Sequence, residues 1–238
     1  MIMKITLLTG RTFDYAAALG YDIKVVKSPR ASKLILKIDN KERIPVLTIP
    51  RYCSSKRALE FVRSNQEWID SCLSKIPQIR QFQNGEQLSL FGKNYTVRHM
   101  PNARAGVFFD GDSVCVSGGR EFLHRRLCDF IKEQAQKKFR QASQRLAAKI
   151  DCHVNDVCIK DTKSRWGSCS NRNNINYNWR IALAPDYVIK YLIAHEVSHL
   201  RHPDHSEDFW NCVASFEPHY RKGRDWLKEH GKELYIYE

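Results

Sequence analysis

The chain has 238 residues, 42% hydrophobic and 11% aromatic, with 39 Lys+Arg against 26 Asp+Glu for a formal charge of +13. With only 11 Gly and 8 Pro, this composition excludes disordered, collagen-like and low-complexity chains and supports a folded core in one large domain or two smaller ones. No stretch approaches the roughly 18 apolar residues of a membrane span. The opening run 5–9 is cut by Gly10 and Arg11, short of the roughly 7 residues of a signal h-region, so the expectation is a soluble, cytoplasmic protein.

The charge is uneven, with +9 in residues 1–120, +5 in 121–165 and −1 in 166–238. Any nucleic-acid or nucleotide contact is therefore expected from the basic first 165 residues, and the last third needs another chemistry. The eight cysteines contain no CxxC pair and are expected as free thiols in a reducing compartment.

Residues 33–38 and 44–49 read as a β-hairpin around the turn-like Asp39-Asn40. Ser54 or Ser55 then caps one helix over about 54–75, with Ala58, Leu59, Phe61, Val62, Ile69 and Leu73 at helical spacing and Pro77 beyond its end. Further strands are expected at 88–91, 95–99, 107–109 and 114–116. These elements form a β-rich N-terminal domain, 1–118, ahead of a second domain, 119–238. The fold class is α+β.

The second domain opens with a long amphipathic helix, 121–150, whose apolar side carries Leu127, Ile131 and Phe139 and whose other side carries eight Lys and Arg. Scattered basic residues on a helix read first as a solvated face rather than a phosphate site. Strands at 157–160 and 174–181 flank the loop Ser164-Arg165-Trp166-Gly167-Ser168-Cys169-Ser170. Ala184-Pro185-Asp186 starts another helix, apolar nearly all round and so buried.

That buried helix contains His195-Glu196-Val197-Ser198-His199. Histidines four apart lie one turn from each other, so both imidazoles can reach one zinc ion at about 2.0–2.1 Å. Glu196 projects about 100° away, placed to take a proton from metal-activated water without ligating the metal. Three ionisable groups on an apolar helix are costly to bury unless something satisfies them, and a divalent cation does.

A third ligand must come from downstream. His202 continues the same stripe, but three side chains along one straight helix cannot surround an ion. Pro203 should end the helix and turn the chain back, which returns His205 toward the pair. Ser206-Glu207-Asp208 then caps a helix with Phe209 and Trp210 that anchors the turn. Glu217 competes, since a glutamate from a later helix can complete such a set. A metzincin is not expected: His202 stands where its turn glycine would be, and Met1, Met3 and Met100 all lie upstream.

Arg165-Trp166-Gly167-Ser168-Cys169-Ser170, Asn178-Trp179-Arg180, Leu183-Ala184-Pro185, the run from His195 to His205, and Phe209-Trp210 together resemble the YgjP-like family of zinc metallopeptidases. The resemblance extends upstream through Gly85-Glu86, Leu90-Phe91-Gly92 and Trp68-Ile69, spanning about 28–231. It implies a zincin-like catalytic domain related to SprT- and WLM-type proteases, with an HExxH active-site helix and a small sheet. One zinc ion would sit on His195, His199 and His205, with Glu196 as catalytic acid and base. The expected activity is peptide-bond hydrolysis, with peptide or protein as substrate. The alternatives are a metal-dependent nucleotide (nucleoside triphosphate) pyrophosphatase and a non-catalytic, zinc-containing nucleic-acid-binding protein. The segment 165–181 is expected beside the zinc as a hairpin edge for an extended peptide, with Arg165, Asn176 and Asn178 as substrate-contact candidates.

Overall fold

The computed structural model describes residues 5–6, 12–13, 15–39, 42–74, 79–162 and 164–237. Asn40 of the expected turn, the Pro77 stop and most of the opening run lie outside the described residues. The chain forms two compact units, Met1–Pro77 and Gln78–Glu238.

In the first unit, Ile5–Thr6 (β1) pairs with Thr12–Phe13 (β2), and a short helix, Tyr15–Leu19 (α1), follows. Lys24–Ser28 (β3), Ile35–Asp39 (β4) and Ile44–Pro50 (β5) form a sheet of order β3-β5-β4. The expected hairpin is the antiparallel β4–β5 pair, while β3 runs parallel to β5. Its core gathers Val25, Leu47 and Ile49 of the sheet with Ala58, Val62 and Ile69 of two helices.

Those helices are Ser55–Ser64 (α2), capped by Ser54, and Gln66–Ser74 (α3), where one continuous helix over 54–75 was expected. The break has a local cause. The Phe61 carbonyl accepts from the Ser64 hydroxyl (3.0 Å) and the Asn65 side-chain amide (2.8 Å), while the Asn65 backbone N–H donates to Val62 at 3.1 Å. Side chains that satisfy a helix carbonyl compete with the next turn.

The second unit holds a sheet of Gln87–Leu90 (β6), Lys93–Met100 (β7), Val107–Asp110 (β8) and Ser113–Ser117 (β9), ordered β6-β7-β9-β8. Leu123–Ala148 (α4) packs on it through Leu127, Ile131, Ala135 and Phe139, in one core with Leu88, Leu90, Val97, Val114 and Val116. This shared core corrects the expected boundary at 118/119: the strands of 87–117 belong with the C-terminal helices, and the division falls at 77/78. The basic side of α4 is largely tied down. Arg126 donates to the Ser117 carbonyl (2.9 Å), Arg140 pairs with Asp156 and Lys137 with Glu133, and Lys132 and Lys138 lie over the Trp179 and Phe91 rings.

A second sheet comprises Asp156–Lys160 (β10), Gly167–Cys169 (β11) and Asn174–Asn178 (β12), with β12 central, parallel to β10 and antiparallel to β11. The strand expected over 174–181 stops at Asn178, whose side chain accepts the Arg180 N–H (3.0 Å) and caps a 3-10 turn, Trp179–Leu183. The buried helix is Asp186–Ser198 (α5), followed by Glu207–Phe216 (α6) and Tyr220–His230 (α7).

Two glycines set how closely neighbouring elements approach the first half of α5. The β6–β7 turn carries Phe91 and Gly92 at φ 52° and 76°, and a Cβ on Gly92 would come within 2.5 Å of Asp186 Cβ. The Phe91 N–H also donates to the Ala182 carbonyl at 2.7 Å. On the other side, a Cβ on Gly223 of α7 would sit 2.5 Å from Tyr191 Cβ, so α7 lies directly against α5. All eight cysteines are free. No described helix is long and apolar enough to cross a membrane.

Candidate metal centre and its clefts

α5 presents His195 and Glu196 in its last turn and ends at Ser198, with His199 as its C-cap. The chain turns back through Pro203; the Asp204 carboxylate accepts the Ser206 N–H (3.1 Å), and the Ser206 hydroxyl caps α6 by accepting the Phe209 N–H. This return brings His205 to the pair. His195, His199 and His205 offer ring nitrogens that all lie within 4.8 Å of one another. Glu217 is not in this cluster; it lies at the end of α6, in a groove lined by Arg145, Lys149 and Lys190.

The donor set fits zinc. Nε2 of His195 and of His205 are 3.3 Å apart, the edge expected when two nitrogens each sit about 2.0–2.1 Å from one tetrahedral ion. With both imidazoles in the tautomer that turns the Nε2 lone pair inward, a cation between them would satisfy both nitrogens. His199 donates its Nδ1–H to the His202 backbone carbonyl (3.0 Å), which leaves its Nε2 lone pair for the site. His202 thus supports the site through its carbonyl. Burial, then the neighbouring imidazoles, pushes His195 down to about 3, so it stays a neutral donor. Phe209 packs against all three rings, at 4.5–5.0 Å between centroids.

Glu196 is 4% exposed. Burial pushes its carboxyl up to about 8, with the Arg165 charge acting in the opposite direction. β11 lies directly over it: a Cβ on Gly167 would be 2.2 Å from Glu196 Oε1 and 2.7 Å from its Cγ. Only a glycine allows this approach. If Glu196 carries protons in a metal-dependent hydrolysis, a Gly167→Ala protein is expected to keep the metal but lose about 100-fold in rate, because a displacement of about 1 Å at such a group costs that much. Zinc analysis beside kcat/KM checks it, and a wild-type rate would refute the packing argument.

β11 is the free edge of its sheet. The Asn178 N–H donates to the Trp166 carbonyl and the Ser170 N–H to the Asn174 carbonyl, so residues 166, 168 and 170 face β12 by antiparallel alternation. The peptide groups of Gly167 and Cys169 point outward. Two clefts meet at Gly167, His195 and Glu196. One, about 480 Å³, runs past Ser168, Cys169, Ser170, His199 and His205; the other, about 370 Å³, runs past Trp166, Tyr191, Arg224 and Lys228.

The other expected site residues separate. Arg165 is exposed and acts on Glu196. Asn176 is half-buried and donates to the Ser168 hydroxyl (3.3 Å), holding β11 to β12. Asn178 corrects the expectation of substrate contact: it is 1% exposed, with its amide donating to the Thr162 carbonyl (2.8 Å) and its oxygen accepting from Arg180. Cys169 lines the larger cleft, but burial and Glu196 push its thiol up to about 11, away from a thiolate nucleophile. Sequence reasoning missed Tyr191, Arg224 and Lys228. Tyr191 was findable, one turn before His195 on the same face; Arg224 and Lys228 carried no local signal.

No curated protein and no solved structure matches the chain. A family profile described as YgjP-like, metallopeptidase domain, matches residues 32–230. That span runs from the first sheet through the histidine cluster to the end of α7, and the chain accordingly belongs to the YgjP-like metallopeptidase-domain family.

Proposed function

We propose that the chain is a zinc-dependent metallopeptidase of zincin type, acting in the cytoplasm on extended peptide segments. The observation that carries this reading is the convergence of the three imidazoles beside a buried glutamate and a free strand edge. His195, His199 and His205 would hold the ion. Zinc held by three neutral imidazoles supplies a Lewis acid that polarises a carbonyl and makes water acidic near neutral pH.

The chain's own residues do the rest. The outward peptide groups of Gly167 and Cys169 would pair with a substrate backbone by strand addition. Glu196 Oε takes the proton of the attacking water and returns it to the leaving nitrogen, a role suited to a carboxylate held beneath Gly167 in the cleft that the three imidazoles line. Tyr191 and Phe209 pack around the imidazoles and limit their rotation.

Incubation of the zinc-loaded protein with casein and, separately, with nucleoside triphosphates tests the reading. Casein fragments and intact nucleotides are the expected result. Pyrophosphate release with inert casein would assign the site to nucleotide hydrolysis. Among the residues lining the two clefts, Glu196 is the sole carboxylate, which gives a magnesium-nucleotide complex few ligands.

A further inference from the structure

The two clefts that meet at Glu196 differ in charge. Beyond the shared residues, the larger carries His199 and His205 of the cluster and, away from them, the uncharged Ser168, Ser170, Asn171 and Asn173. The smaller is walled on one side by α7, which contributes Arg224 and Lys228 to it and no acid. Arg224 pairs with Asp225 at a long 3.4 Å, both side chains about half exposed; its guanidinium lies over the Trp210 ring, and the residue also lines a neighbouring cleft with Trp210 and Glu207. A planar, weakly hydrated guanidinium on an aromatic ring beside a cleft is built to take a carboxylate.

Strand direction says which part of a substrate reaches it. β11 runs from Trp166, in the α7-side cleft, to Ser170, in the other. A peptide added antiparallel, the more stable pairing, runs the opposite way. Its N-terminal part crosses Ser168–Ser170 and its C-terminal part enters the α7-side cleft.

We propose that Arg224, assisted by Lys228, forms a subsite for a carboxylate on the C-terminal side of the scissile bond, borne by an acidic side chain or by the substrate's own C-terminus. This inference rests on the peptidase reading for the position of the bond. The pair sits in the nearly neutral third of the chain, so the preference is a local property of this cleft.

Binding separates the subsite from the chemistry. The zinc-loaded full chain carrying Glu196→Gln is titrated, by fluorescence anisotropy, with labelled neutral octapeptides bearing one Glu at each position in turn or a free rather than amidated C-terminus. The wild-type protein, run in parallel with mass spectrometry, locates the bond cut. A Glu, or a free carboxylate, C-terminal to that bond should tighten binding at least about tenfold over its Gln or amide counterpart, and Arg224→Glu should invert the preference. The two peptide sets identify the source of the carboxylate. Equal affinities for Glu and Gln peptides and for free and amidated C-termini overturn the proposal whether or not peptides are cut, and so does a preference confined to the N-terminal side of the bond that is cut. Arg224-dependent tight binding without any cleavage keeps the carboxylate subsite and overturns the peptidase reading instead.

Discussion

Replacing Glu196 with Gln should leave a folded, zinc-loaded protein whose peptide hydrolysis falls by about 10²–10⁴-fold, the usual contribution of a positioned proton-transfer group. The substitution keeps the shape that fits beneath Gly167 and removes only the ability to accept a proton. The amide is nearly the same size as the carboxyl and fills the same buried place, so the thermal midpoint should hold. None of the three converging imidazoles is touched. Zinc content, melting and kcat measured on one preparation decide the point. Full kcat in a zinc-loaded Gln variant would eliminate Glu196 as the proton carrier.

The histidine cluster was legible in the sequence because its chemistry is local. Two of its members are four apart on one helix, and the third follows a proline that forces the chain to turn within a few residues. The hairpin of β4 and β5 and the long helix α4 were legible for the same reason, as periodicity and turn residues carry them without tertiary help. The boundary was not. Strands β6 to β9 have the composition of the β-rich first part, but their apolar face packs on α4, and no pattern along the strands names that partner. Asn178 read as a polar group near the site, and only the fold shows that Thr162 and Arg180 use both ends of its amide. The two walls of the α7-side cleft come from β11 and α7, some fifty residues apart in sequence, so the α7 cations are visible only once α7 is seen against α5.

The charge gains a structural reading as well. Arg126, Arg140, Lys132 and Lys138 of α4 reach Ser117, Asp156 and the Trp179 and Phe91 rings, while Lys137 pairs with Glu133 of the same helix, so part of that face stitches the helix to its neighbours. On that helix the surplus is spread through such contacts rather than lined up as a phosphate track. The histidine cluster lies in residues 166–238, where the net charge is −1.

His205→Ala should abolish stoichiometric zinc binding while Glu217→Ala retains it. Three nitrogens within 4.8 Å make a site for which two are insufficient, whereas Glu217 faces a groove shared with Lys190 and Arg145. Loss of the fold is not the expected cause. His205 is exposed, and the turn beside it is held by the Asp204 carboxylate and the Ser206 cap, neither of which the substitution removes. Linkage provides a readout independent of catalysis. Free zinc at about 1,000 times its dissociation constant stabilises a folded protein by about 4 kcal/mol, and a unit of this size gains about 2–4 °C per kcal/mol. The wild-type chain should therefore melt about 8–16 °C higher with zinc than after chelation, and the Glu217→Ala chain should show the same rise. The His205→Ala chain should melt near the chelated wild type, with or without zinc. A full zinc-dependent rise in His205→Ala, or its loss in Glu217→Ala, would move the third ligand from His205 to the end of α6.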